Sequence, residues 1–236
     1  MHQAPIVHVS FDFWRTLFKS NPQFSSARVT LLHENFNPNK LNDTQISAII
    51  ENIGDAVDNI NKITLESVSA SEMNAALLLK MGLYPSPHVL NDFEKKVTDL
   101  FVDFPPHLIA SNTNTIFERL GASGVTISLA SNTAFICGEV LDTILSNAKL
   151  SNHFLFKVYS DKINRSKPAS DFFSNVYQTA TALNKNVNAK GSILHVGDDF
   201  HADIEGAKNF GFSFFQINSN EASLNDIFNE TNNFGI

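Results

Sequence analysis

Hydrophobic and polar positions along this chain follow two different rhythms. Residues 6–11, IVHVSF, are a largely apolar run of strand length, and Asp12 stands where that strand should end. From about residue 20 to 105 the apolar positions recur in steps of three and four. Pro22 suits the first turn of a helix reaching about Glu34. Asp43 or Thr44 is expected to cap a longer helix in which Ile46, Ile49, Ile50, Ile53, Val57 and Ile60 form one stripe. Ser71 is expected to cap a third helix running through Met81, with Gly82 as its stop. Pro87 begins a fourth, with Leu90, Phe93, Val97, Leu100 and Phe101 facing inward, and Pro105-Pro106 breaks the pattern.

Beyond those prolines, strand-like and helix-like stretches alternate. A helix is expected near 112–120, ending before Gly121, then a strand over 125–130 (VTISLA) and a helix over 134–148. The strand FLFKVY follows at 154–159, then a helix after Pro168, a strand at 192–196, a helix at 200–209 and the strand SFFQI at 213–217. The polar tail beyond 219 reads as a short helix or a frayed end. Such alternation implies a Rossmann-like parallel α/β sheet with right-handed crossovers and helices on both faces. The expected organisation is an α/β core over residues 1–19 and 106–236, with an all-helical domain inserted at 20–105.

Composition narrows the function classes. The chain has 236 residues, 43% hydrophobic and only 17% charged, which supplies a packed core rather than a disordered chain. Its net charge of −7 argues against a broad nucleic-acid surface. The single cysteine, Cys137, excludes an internal disulfide, and the eight histidines show no metal-binding pair. The start of the chain lacks a signal-peptide pattern and no apolar run reaches membrane-spanning length, so a cytoplasmic protein without membrane partners is expected. Oligomeric state is not readable.

Four polar clusters interrupt the apolar runs: Asp12 in VSFDFWRTL, Ser131-Asn132 in TISLASNT, Lys167-Pro168 in NRSKP, and Asp198-Asp199 with Asp203 in HVGDDFHADIEGA. The first, second and fourth directly follow strands, where an open parallel sheet forms its binding crevice. A carboxylate, a hydroxyl, an ammonium and an acidic pair meeting there suit phosphoryl transfer or hydrolysis with a bound cation. Each residue also has an ordinary structural role to play: Asp12 as a strand-end loop residue, Ser131 as an N-cap, Lys167 as a surface lysine, and Asp199 and Asp203 as carboxylates favoured at a helix start.

These four motifs, in this order and with a helical segment after the first, resemble the haloacid dehalogenase superfamily across residues 11–207. The resemblance implies that Asp12 is the nucleophile, that Ser131 and the Asn132 amide contact a phosphoryl oxygen, and that Lys167 neutralises developing charge. It implies a Mg²⁺ held by Asp12, Asp198 and the backbone carbonyl of Trp14, with Asp199 and Asp203 orienting its waters. It makes the helical segment a cap that selects a small, phosphorylated substrate.

Two positions depart from the superfamily pattern. Trp14 stands where most of its phosphatases carry a second Asp as general acid and base. The consequences left open are a good leaving group, a proton from another group such as one on the cap, carbon–halogen cleavage, or a slow or silent protein. At position 14 an indole also serves simply as a wall under the cap. Arg15 stands where a small residue or Asn is commoner, and can reach a substrate anion or pair with a cap carboxylate. Three readings follow: a Mg²⁺-dependent phosphatase, a 2-haloacid dehalogenase, and a catalytically silent binding protein. The sequence Gly197-Asp198-Asp199 favours the first, because dehalogenation does not require a cation site.

Overall fold

A computed structural model describes residues 5–217 and 223–227. Five parallel strands form the central sheet: β1 (His8–Phe11), β4 (Thr126–Ser131), β5 (Phe154–Tyr159), β6 (Ile193–Gly197) and β7 (Ser213–Gln216), in the order β5-β4-β1-β6-β7. β1 therefore lies in the middle, with Phe11 opposite Leu129 of β4 on one side and Val196 of β6 on the other. This is the topological switch point, where loops diverge and leave a crevice beyond the strand ends.

Side chains alternate across the sheet and divide the core in two. Val9, Phe11, Ile127, Leu129, Leu194 and Val196 face one cluster, with α5 (Thr113–Ala122) and α6 (Gly138–Asn147) contributing to it. Ala130 and Ile193 face the other, built with Phe172, Phe173 and Val176 of α8 (Ser170–Leu183) and Ala207 of α9 (Gly206–Phe210). The expected α/β sheet, with helices on both faces, is present. Among the described residues no helix is long and apolar enough to cross a membrane.

Between residues 20 and 105 there are only helices: α1 (Pro22–Asn35), α2 (Asp43–Thr64), α3 (Ala70–Lys80) and α4 (Pro87–Asp103). They pack on one another, and the isoleucine stripe of α2 is buried at Ile46, Ile50 and Ile53. A two-residue antiparallel ribbon, β2 (Phe18–Lys19) with β3 (His107–Leu108), draws the two ends of this segment together. So short a ribbon has no periodicity to read in the sequence.

Several boundaries differ from expectation. The cap of α2 is Asn42, not Asp43 or Thr44, because Gln45 lies three residues on: the Asn42 side chain accepts from Gln45 N and Gln45 Oε1 accepts from Asn42 N, both at 3.0 Å. Ser69 rather than Ser71 caps α3 for the same reason, with Glu72 as its reciprocal partner. Helix α5 runs through Gly121 to Ala122, and the turn falls at Gly124, whose φ is +78°. Helix α6 starts at Gly138, not 134, leaving 132–137 irregular. Helix α8 starts at Ser170, so Pro168 is not its first residue and Lys167 is not an exposed helix-start lysine. Most of the tail lies outside the described residues; Leu224–Asp226 within it is a 3₁₀ turn.

Candidate active site

The ends of three adjacent strands set the site. Asp12 follows β1, anchored by its N–H to the Val196 carbonyl at 2.9 Å. Ser131 ends β4, and Asp198 follows β6. Lys167 arrives from the loop between α7 (Ser160–Ile163) and α8, and its ammonium donates to Asp12 Oδ1 at 2.7 Å and to Asp203 Oδ1 at 2.5 Å. All three of these groups are almost fully buried. The lysine thus sits between two carboxylates 36 and 155 residues away in the chain.

The electrostatics follow from that burial. Desolvation pushes the Asp12 carboxyl up to about 7 despite the attraction of Lys167. Burial works against the charge of Lys167, but Asp12 and Asp203 outweigh it and hold the ammonium above its ordinary value. Burial also opposes ionisation of Asp203, yet Lys167 and His195 pull its carboxyl well below the usual range. His195 is buried, and burial lowers its own pKa; its Nε2–H donates to Asp203 Oδ1 at 3.1 Å. Asp203 Oδ2 accepts from the Asp199 N–H at 3.0 Å. Gly197 is required here less for a turn than for space, since a Cβ would overlap the Asp203 carboxyl group. Gly206 sits against Phe173 of α8 and Pro168 of the lysine loop, where a Cβ would collide.

Of the remaining predicted residues, Trp14, Arg15, Asn132, Asp198 and Asp199 line the cleft around this centre, whereas Ser131 lies buried behind it. Asp199 caps a π-helical turn over Phe200–Glu205, accepting from His201 N and Ala202 N. Asp198 is half-buried, which raises its pKa, and it pairs with Arg15 Nε at 3.0 Å. Trp14 and Arg15 both line the cleft. Ser131 is fully buried, and its hydroxyl donates to the Asn132 carbonyl at 3.0 Å. Asn132 is not at a helix start, since α6 begins six residues later. Its side chain instead clamps the lysine loop, accepting from Lys167 N at 2.8 Å and donating to Lys167 O at 3.1 Å.

Oxygens of Asp12, Asp198 and Asp203 all lie within 4.8 Å of one another. An all-carboxylate set at this spacing fits a hard divalent cation such as Mg²⁺. Asp203 belongs to this cluster itself, whereas the sequence suggested only a role in orienting waters.

The cleft, about 180 Å³, is lined on the helical side by Asp58, Asn61 and Lys62 of α2. Burial pushes the Asp58 carboxyl above its ordinary value, with Lys62 opposing. None of these three stood out in the sequence, because each is an ordinary polar position on an amphipathic helix. His195 did leave a signal, a polar residue inside the apolar run SILHV, which requires a buried partner. The turn after α2 also grips the lysine loop: Leu65 O accepts from Ser166 N at 3.1 Å, and the Ser67 hydroxyl donates to Ser160 Oγ at 2.9 Å.

The family model of haloacid dehalogenase-like hydrolases matches residues 9–217. The chain belongs to that family. No curated relative matches this haloacid dehalogenase-like chain. Among solved structures it is similar to YfnB of Bacillus subtilis bound to magnesium, at 16% identity, covering 97% of this chain and 99% of that one, with a TM-score of 0.66. It is also similar to the L-2-haloacid dehalogenase of Xanthobacter autotrophicus (19% identity, 92% and 80% coverage, TM-score 0.60). A third similar structure is a predicted phosphoglycolate phosphatase from Haemophilus somnus (15% identity, 96% and 98% coverage, TM-score 0.63). At these identities the likeness establishes the fold shared by this haloacid dehalogenase-like chain, while the family match makes it a hydrolase.

Proposed function

We propose that this hydrolase is a Mg²⁺-dependent phosphatase that acts on a small phosphorylated metabolite through an aspartyl-phosphate on Asp12. The observation that carries this reading is the carboxylate cluster of Asp12, Asp198 and Asp203, with oxygens within 4.8 Å of one another. Asp12, Asp198 and the Trp14 carbonyl would hold the ion, with Asp203 and Asp199 beside them. Bound Mg²⁺ would offset charge on the carboxylates and on the phosphoryl oxygens.

In this reading an Asp12 carboxylate oxygen attacks phosphorus, forming an O–P bond as the ester P–O bond breaks. Lys167, tied to Asp12 Oδ1 at 2.7 Å, orients the carboxylate and supplies positive charge. The Ser131 hydroxyl would turn from the Asn132 carbonyl to a phosphoryl oxygen, while Asn132 keeps the lysine loop in register. Arg15 reaches the substrate's anionic end. Water then cleaves the aspartyl-phosphate and releases phosphate. The indole of Trp14 cannot donate the proton that an alkoxide leaving group needs. Asp58, an exposed residue of α2 that lines the same cleft and whose pKa is raised, is our choice for that donor. We read the helices over 20–105 as a cap that excludes water and selects the substrate, in a cytoplasmic enzyme.

Trp14 also favours a second reading, a 2-haloacid dehalogenase, because halide departs without a proton. One experiment separates the two: release of phosphate from an aryl phosphate and of chloride from a chloroacid, each with and without Mg²⁺, for wild type and Asp12→Asn. Phosphate release that needs the metal and vanishes in the variant supports the phosphatase. Metal-independent chloride release supports the dehalogenase, and silence on both substrates a binding protein.

A further inference from the structure

Next to the catalytic cleft, and sharing Trp14 and Ala134 with it, is a cavity of about 260 Å³ whose wall includes the rings of Trp14, Phe24, Phe101 and Phe135. Its rings form a continuous row: Trp14 meets Phe101 edge-on at 6.2 Å, and Phe101 meets Phe24 at 5.0 Å. The row ends at Arg28 of α1, whose guanidinium lies 5.4 Å from the Phe24 ring and 4.9 Å from the Phe135 ring. Phe24 and Arg28 share a helix face through their spacing of four residues. Phe135 comes from the irregular 132–137 stretch that follows Ser131.

Stacking on rings uses the faces of a guanidinium and leaves its edge donors unspent. Arg28 Nε is fully buried and has no hydrogen-bond partner. Among the described residues no carboxylate pairs with Arg28. Besides Arg28, the polar side chains at this wall are Ser20, Ser25 and Asn21, none of which carries charge, and Asn21 is already committed, accepting from Gln23 N at 2.9 Å and donating to Pro105 O at 3.1 Å. Arg28 also borders a second groove that contains Asp43 and Glu51, but Asp43 is held by His33 at 2.6 Å. Burial lowers the Arg28 pKa to about 10, as expected of a cation short of counter-charge.

We infer that this aromatic cavity is a binding site for a carboxylate carried on an apolar or aromatic body, with the Arg28 edge taking the carboxylate and Phe24, Phe101 and Phe135 taking the body. The planar fork of an arginine takes carboxylate or phosphate bidentately, and the rings beside it favour a singly charged anion carried on an apolar body, which a carboxylate supplies at the least desolvation cost. That the ligand is the non-reacting end of the substrate rests on the hydrolase reading above, whereas the carboxylate site does not.

Titration calorimetry of the full chain with phenylacetate, phenylacetamide and inorganic phosphate tests this. Phenylacetate should bind, and the neutral amide should bind roughly ten- to a hundred-fold more weakly, the factor expected for hydrogen bonds to charged groups. Arg28→Met should lose a similar factor, and Arg28→Lys should retain part of the affinity. Equal binding of acid and amide by the wild type overturns the inference, even if Arg28→Met fails to fold. So does unchanged phenylacetate affinity in a folded Arg28→Met, or a wild type in which inorganic phosphate, but not phenylacetate, binds in an Arg28-dependent way. Asp12→Asn should bind phenylacetate like the wild type, so a failed hydrolase reading and a failed carboxylate site give different results.

Discussion

Arg15 Nε lies 3.0 Å from Asp198 Oδ2, and it reaches there from a backbone φ of 57°. A side chain in the left-handed region costs about 1–2 kcal/mol, and glycine avoids that cost. In the proposed Mg²⁺ site the guanidinium also occupies a carboxylate that the ion would use. Arg15→Gly is therefore expected to bind Mg²⁺ severalfold more tightly in calorimetry. Its stability should stay within about 1 kcal/mol of wild type, because relief of strain offsets the exposed ion pair and the added chain entropy. Unchanged or weaker Mg²⁺ binding would show that Arg15 does not compete with the ion.

Lys167 is the only cation between Asp12 and Asp203 among the described residues. Lys167→Met should destabilise the protein by about 3 kcal/mol near pH 8, since it leaves buried carboxylates uncompensated. The sign of the pH dependence follows from Asp12, already raised to about 7 by burial. Without the ammonium it rises further, the folded state binds the extra proton, and the deficit shrinks as pH falls toward 5. Urea melts at the two pH values measure this; a deficit that grows in acid contradicts it.

Gly197→Ala places a methyl group against the Asp203 carboxyl. Asp203 cannot retreat without leaving Lys167 and His195, so the substitution should cost about 2 kcal/mol and lower turnover through a misplaced lysine. A variant as stable and active as wild type would mean that the β6 end can shift outward freely.

His8 lies fully buried in β1, its ring 5.5 Å from Phe156, with Nδ1 2.7 Å from Thr126 Oγ1 and Nε2 2.8 Å from Ser128 Oγ. Burial lowers its pKa from 6.5 to about 3. The unfolded chain therefore takes the proton first as pH falls. Its contribution is fully present above about 6.5 and is lost at about 1.4 kcal/mol per pH unit below that, down to about 3. Between pH 7.5 and 5.5, wild type should lose stability relative to His8→Gln in denaturant titrations. Parallel pH profiles for the two proteins would remove His8 as the cause.

The order of elements was legible because it is written locally. Stripes such as Ile46–Ile50–Ile53 and strands such as VTISLA follow from the periodicity of a helix or a strand, and the four polar clusters stand out against those apolar runs. Helix ends were less legible: Asn42 and Ser69 take the caps because of reciprocal partners three residues on, a choice made among several competent neighbours. At Gly138, where α6 starts, a side chain would collide with Tyr159, a contact from β5 that no local pattern announces.

By itself the sequence determined an α/β chain with a helical interruption and placed Asp12, Ser131 and Asp198 at strand ends, because apolar spacing and chain polarity are local properties. Only the tertiary structure decided that Lys167 is buried between Asp12 and Asp203, that Asn132 clamps its loop, that His195 supports it, and that Asp58 of α2 faces the same cleft. Those contacts depend on β1 lying between β4 and β6 and on where α2 comes to rest. Such pairings span up to 155 residues, and no local pattern encodes them.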